Sequence, residues 1–188
     1  MTISTPTTAG QILTSAYVNN NINSGLVYID SGTISTQSSK QIDNCFTSTY
    51  DNYHINITIS AVSTTAVLYL QMVDGTTPDA SANYYGNMIQ RSQGGVVTND
   101  DVGSGTQWTI NSWSNFGSVC MNTFDVMNPK LATTTAIAGD GMTNAATFVN
   151  TTQIGGGLLT NTQYEGLIIT ASAGTFSGVI TVFGYRKA

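Results

Sequence analysis

The chain has 188 residues, 40% of them apolar, which is enough for one domain with a real core and excludes a disordered chain. Charged residues are only 8% and the formal net charge is −5, so the surface is built from Ser, Thr, Asn and Gln. The five cations are Lys40, Arg91, Lys130, Arg186 and Lys187, and only the last two are adjacent. Phosphate backbones and anionic membranes need clustered Lys and Arg, so no nucleic-acid or membrane partner is expected.

In chain order, MTISTPTTAG has neither the basic nor the apolar region of a secretory signal. Residues 1–13 read as extended. Thr14 is a suitable helix cap and Gly25 a suitable stop, which predicts a short helix ending near Asn23. Leu13 and Tyr17, and Val18 and Ile22, are four apart and give it a narrow apolar stripe. The Asn19-Asn20-Asn21 run is poor helix material, so about ten such residues need a partner to hold their shape. Residues 1–25 are therefore read as an attachment arm, with Leu13, Tyr17, Val18 and Ile22 as its contacts, and residues 26–188 as the folded domain.

After Gly25 the period becomes two. Leu26–Ile29 opens a strand, and Thr33–Gln37 and Gln41–Phe46 are expected to pair across the Ser38-Ser39-Lys40 turn. In Tyr53–Ser60, Tyr53, Ile55, Ile57 and Ile59 should face a core and His54, Asn56, Thr58 and Ser60 the solvent. Ala66–Val73 reads as a buried strand, too short to cross a membrane as a helix, and Asp74–Asp79 as a turn. Residues 80–117 are the least regular, with two or three strands joined by long loops. Strands are further expected at Gly117–Met127, Leu131–Ala138 and Ala145–Ile154. Gly155-Gly156-Gly157 reads as a flexible turn, and Tyr164–Ala171 and Gly178–Tyr185 as a closing hairpin-like pair. Short strands at intervals near ten residues predict an all-β fold: a single antiparallel β-sandwich, jelly-roll-like, preceded by the arm.

The chemistry is sparse. His54 is the single histidine, on the polar side of its strand, with no G-x-S-x-G nucleophile motif anywhere. No Cys or His spacing suits zinc, and neither a metal nor a cofactor is expected. Cys45 and Cys120 read as half-buried thiols of a protein made in a reducing cytoplasm, although a disulfide stays open. Asp100 and Asp101 read as a solvated turn rather than a calcium loop. Glu165 is the sole glutamate, so no Glu–Glu glycosidase pair exists. The sequons at Asn56 and Asn150 are chance matches in a chain this rich in Asn and Thr. Exposed rings at Tyr84, Tyr85 and Trp113 are the candidates for stacking on a host-surface glycan or filling a receptor pocket, whereas Trp108 is expected to pack inside with Ile110.

Three stretches carry a family resemblance. AGQILTSAYVNNNINSGLVYI (9–29) resembles the A-G-x-x-L-T-x-A-x-V-N-x-N opening of small virion proteins of tailed bacteriophages, particularly those of marine cyanobacteria. FTSTYDNYHINITIS matches their F-x-x-x-Y-D-x-Y-x-I habit at Phe46, Tyr50, Asp51, Tyr53 and Ile55. Tyr164–Ile169 and the ending SGVITVFGYRKA look like their closing strands. Together the stretches cover about a third of the chain. The resemblance implies a non-enzymatic β-sandwich on the particle surface, a head decoration (cement) protein or a tail-fibre component. It also implies other virion proteins as partners, a homotrimer, and a virion location reached by assembly in the host cytoplasm. A receptor- or carbohydrate-binding appendage is the alternative, and a small hydrolase using Asp100 or Asp101 a third class.

Overall fold

The computed structural model describes residues 25–113, 119–145 and 148–187, with residues 101, 102, 113, 145 and 148 as backbone only. The predicted helix and its contacts Leu13, Tyr17, Val18 and Ile22 lie outside the described residues. Those described form an all-β chain. Its strands are β1 (Leu26–Gln37), β2 (Ser39–Ile42), β3 (Asn52–Val62), β4 (Ala66–Asp74), β5 (Thr77–Pro78), β6 (Tyr84–Ser92) and β7 (Val97–Gly105). They continue with β8 (Trp108–Trp113), β9 (Val119–Met127), β10 (Thr135–Ala145), β11 (Phe148–Leu158), β12 (Gly166–Ala171) and β13 (Phe176–Tyr185).

Two antiparallel sheets result. The larger has the order β1-β13-β3-β9-β10-β11-β6-β7; the smaller runs β2-β12-β4-β5, with β8 also paired to β4. One apolar cluster lies between them. The larger sheet contributes Tyr53, Ile55, Ile57, Ile59, Phe124, Val126, Ile180 and Val182, and the smaller Leu68, Leu70, Met72, Trp108, Ile110, Leu167 and Ile169. The alternation expected across Tyr53–Ser60 is present: the four apolar residues are fully buried and their polar neighbours face outward.

The two expected hairpins do not form. Strands β1 and β2 lie in different sheets, β1 against β13 and β2 against β12. A register shift between Ile34 and Gln37, with Thr36 at φ 51°, bends the chain across the core edge. Strands β12 and β13 likewise separate at a turn where Gly174 takes φ 66°. Period-two patterning shows that a segment is a strand, not which sheet it joins. Two loop assignments are corrected as well. The middle of the chain holds three strands joined by short connections, and Asp100 and Asp101 lie in β7 opposite Met88 and Asn87.

Gly155–Gly157, expected as a flexible turn, lies inside β11 opposite Asn87, Gly86 and Tyr85. The reason is close approach. Trp108, from the opposite sheet, rests on this spot and donates its indole N–H to the Tyr85 carbonyl at 3.1 Å. A Cβ on Gly156 would stand 2.6 Å from that indole nitrogen and 2.6 Å from the carbonyl, and one on Gly86 would stand 2.5 Å from Gly155 O. Both glycines make room for the ring.

The stretches of the family resemblance that begin at Phe46 and at Tyr164 meet, with the chain's last strand, at one corner. The Thr47 N–H donates to Tyr53 Oη at 2.6 Å, and that hydroxyl donates to the Thr47 carbonyl at 2.7 Å. The rings of Phe46 and Tyr53 meet edge-on at 4.7 Å. A Cβ on Gly184 would strike the Tyr50 ring at 2.6 Å, Lys187 pairs with Asp51 at 2.7 Å, and the Phe46 N–H donates to the Glu165 carbonyl at 2.9 Å. These residues fasten the loop after β2 to the last strand. Their role is to make the fold.

A second corner depends on two carboxylates. The Tyr164 hydroxyl donates to the Asp79 carboxylate, and the Tyr84 hydroxyl donates to the Asp79 carbonyl at 3.0 Å. Burial raises the Asp79 pKa, but hydrogen bonds from Tyr164 and from the Ser81 N–H outweigh it, and the net shift is downward. Glu165 is held below its usual range by the Gly75 N–H and then by Lys130. Both groups are depressed in the folded state, so their contribution is complete above the ordinary values of 3.8 and 4.5 and is lost as pH falls through the lower folded ones. Urea midpoints should therefore stay flat from neutral pH to about 5 and fall below about 4. A midpoint that rises on acidification contradicts this corner.

Cys45 and Cys120 are free and fully buried. Burial lifts their thiols to about 12 and about 11. Iodoacetamide at neutral pH should leave both untouched in the native protein and label both after unfolding, as mass spectrometry would read out.

Candidate interaction surface

The outer face of the larger sheet carries the side chains that β3, β6, β9, β10, β11 and β13 do not bury. Cross-strand rows follow from the register. One row runs Phe183, His54, Asp125, Ala138, Gly155, Asn87; the next runs Thr181, Asn56, Thr123, Asp140, Gln153, Ile89. A third runs Val179, Thr58, Met121, Met142, Thr151, Arg91.

The sequence names no partner for His54; the first two rows supply several. Its Nδ1 lies 2.8 Å from Asp125 Oδ1, which also accepts the Tyr185 hydroxyl at 2.8 Å. Its Nε2 lies 3.1 Å from Thr123 Oγ1. This is a hydroxyl–imidazole–carboxylate row, but Thr123 donates its proton to Asn56 Oδ1 at 2.8 Å. The backbone N–H groups around it serve the strand ladders and do not converge as an oxyanion site. The row ties β3, β9 and β13 together across the face. The signal for it was the alternation of β9, which puts Asp125 outward. Its pairing with His54 is long-range and left no local trace.

The third row is apolar at an exposed position. Met121 and Met142 stand directly opposite each other, with Val119, Val149 and Val179 around them. These five side chains are 38–52% exposed. Thr58, Asn144 and Thr151 fill the spaces between them without charge. A shallow depression of about 310 Å³ adjoins the stripe, lined by Ile89, Arg91, Asp140, Thr151 and Gln153 with the backbone at Gly141 and Thr152. It offers one cation, one anion, an amide and a hydroxyl within reach of one small polar ligand.

The ring candidates separate. Tyr85 is 40% exposed on β6, on the same face as Ile89. Tyr84 is fully buried, edge-on to Trp108 at 4.8 Å, and is corrected from a ligand-facing ring to a core residue. The alternation of β6 explains this, because adjacent strand residues point to opposite faces. Trp108 is buried as expected, and the side chain of Trp113 lies outside the described residues, its backbone closing β8 opposite Ala66. Among the described residues no group of three or more His, Cys, Asp or Glu could hold a metal ion. Compared with known proteins, the chain matches no family model and no curated sequence.

Proposed function

We propose that the chain is a non-enzymatic structural protein of a tailed-phage particle, a capsid decoration (cement) or fibre component held through residues 1–25. The strand order is the observation that carries this reading. The order β1-β13-β3-β9 in one sheet and β2-β12-β4 with β8 in the other supports an eight-stranded jelly-roll sandwich, with β10, β11, β6 and β7 extending one sheet. Viral capsid and lectin domains use that sandwich. Because a fold hosts many functions, the resemblance in residues 9–29, 46–60, 164–169 and 177–188 supplies the choice among them. In this reading the partners are other virion proteins and further copies of the chain, a trimer by analogy, and the location is the virion assembled in the host cytoplasm. Residues 1–29 carry no charged side chain, and the outer sheet face bears few; many copies can pack closely with little self-repulsion.

A receptor- or carbohydrate-binding appendage is the second reading, favoured by the depression at Arg91, Asp140 and Gln153 and by exposed Tyr85. The two readings separate on particles and on glycans. Detection of the protein on purified virions, as many copies on the head or a few at the tail, supports the first. Glycan or host-cell binding that Tyr85→Ala or Trp113→Ala abolishes supports the second.

A further inference from the structure

We propose that the apolar stripe at Val119, Met121, Met142, Val149 and Val179 is the seat for residues 13–22 of a second copy of this chain. The inference rests on the reading of residues 1–25 as an attachment arm and names the surface the arm grips. Large exposed apolar side chains are ordinary when scattered. Here Met121 and Met142 stand face to face on adjacent strands, with Val119 and Val149 on either side of Asn144 in the next row and Val179 across Thr58. An apolar patch whose gaps are filled by uncharged Thr58, Asn144 and Thr151, with charge beside it among the described residues only at Asp140 and Arg91, suits an occupant that is also apolar and uncharged. Residues 1–24 fit that description: they carry no Asp, Glu, Lys, Arg or His and present Leu13, Tyr17, Val18 and Ile22 at one spacing.

Reach decides between the chain's own arm and a neighbour's. The arm joins the sheet at Gly25, whose carbonyl accepts the Arg186 N–H, and Leu26 stands opposite Tyr185. The stripe begins at Val179, six residues back along β13, or ~20 Å along the strand direction. Met121 lies three strand spacings from β1, ~14 Å across the sheet. Three Cα steps lead from Ile22 to Gly25, and they span ~10 Å at most. The chain's own arm therefore cannot lay all four apolar side chains on its own stripe. An arm from an adjacent copy has no such tether and can. Reciprocal exchange of this kind closes into a ring or a dimer when the geometry repeats.

The test uses full-length chains. A Tyr17→Cys chain and a Met142→Cys chain of different mass are mixed and treated with a bifunctional maleimide; Cys45 and Cys120 are too buried to compete. Self-association of the parent chain and of a Met121→Glu variant is measured by sedimentation. The proposal expects a cross-linked product containing both masses, and association weakened about tenfold or more by the buried charge of Met121→Glu. Because Met121 is an outward residue, its substitution should leave the unfolding midpoint unchanged at dilutions where both chains are monomeric. A parent chain that stays monomeric, the absence of the mixed product, or a cross-link within single chains of a Tyr17→Cys/Met142→Cys double variant each overturns it. Failure here with the protein still on virions means that the arm grips a different virion protein. A mixed product from a protein absent from virions leaves the exchange standing and removes the functional reading.

Discussion

Trp108→Ala is expected to lower unfolding stability by about 3–5 kcal/mol, the largest loss for a single truncation in this chain. The indole is fully buried between the sheets, edge-on to Tyr84, and its N–H satisfies the Tyr85 carbonyl. Truncation leaves a cavity lined by glycine backbone, which has no side chains to move inward, and leaves that carbonyl without its donor. Gly156→Val attacks the same contact from the other side. Its Cβ meets both the indole nitrogen and the Tyr85 carbonyl at 2.6 Å, so either the ring leaves its seat or β6 and β11 part. That substitution should match or exceed the Trp108→Ala loss. Urea unfolding at constant m-value measures both. A loss below about 1 kcal/mol, the range of ordinary surface changes, would show that the indole does not join the two sheets.

Removing residues 1–24 is expected to abolish incorporation into particles while leaving the sandwich folded. The cut keeps Gly25, whose carbonyl accepts the Arg186 N–H, and the whole of β1 with its pairing to β13. The segment removed contains no charge, so a lost electrostatic contact cannot explain the outcome. What goes is the apolar set Leu13, Tyr17, Val18 and Ile22. At dilutions where both are monomeric, thermal unfolding of the shortened chain should resemble that of the full chain, and purified particles should lack it. Incorporation at the parental level would refute the arm's role.

Strand existence was legible in the sequence because burial on one face imposes a period of two. Tyr53–Ser60 and Val179–Tyr185 follow that rule residue by residue. Sheet membership was not legible. The crossings after Gln37 and Ala171 depend on a bulge, a positive φ at Thr36 and a turn at Gly174, none of which alters the alternation on either side. Gly155–Gly157 misled for a related reason. Glycine signals a turn when only local conformation is considered, but here it makes space for a ring that arrives from residue 108. Tyr84 and Tyr85 show what period two can resolve once the strand phase is known: one is core, the other surface. The His54 network and the Met121–Met142 stripe were hidden because both are cross-strand pairings between residues far apart in sequence. In the family-like strings, Phe46, Thr47 and Tyr53 form a local turn that a short motif can encode, and the distant Gly184 and Lys187 close over it to hold the fold. For the same reason they report the fold more directly than the partner.

The account turns on whether this domain is a component of assembled particles. Purified virions, stripped of loosely bound protein and quantified by mass spectrometry against the major capsid protein, provide the direct measurement. The account predicts a fixed stoichiometry that survives stripping and vanishes for the chain lacking residues 1–24. Particles that carry none of the parent protein would contradict it.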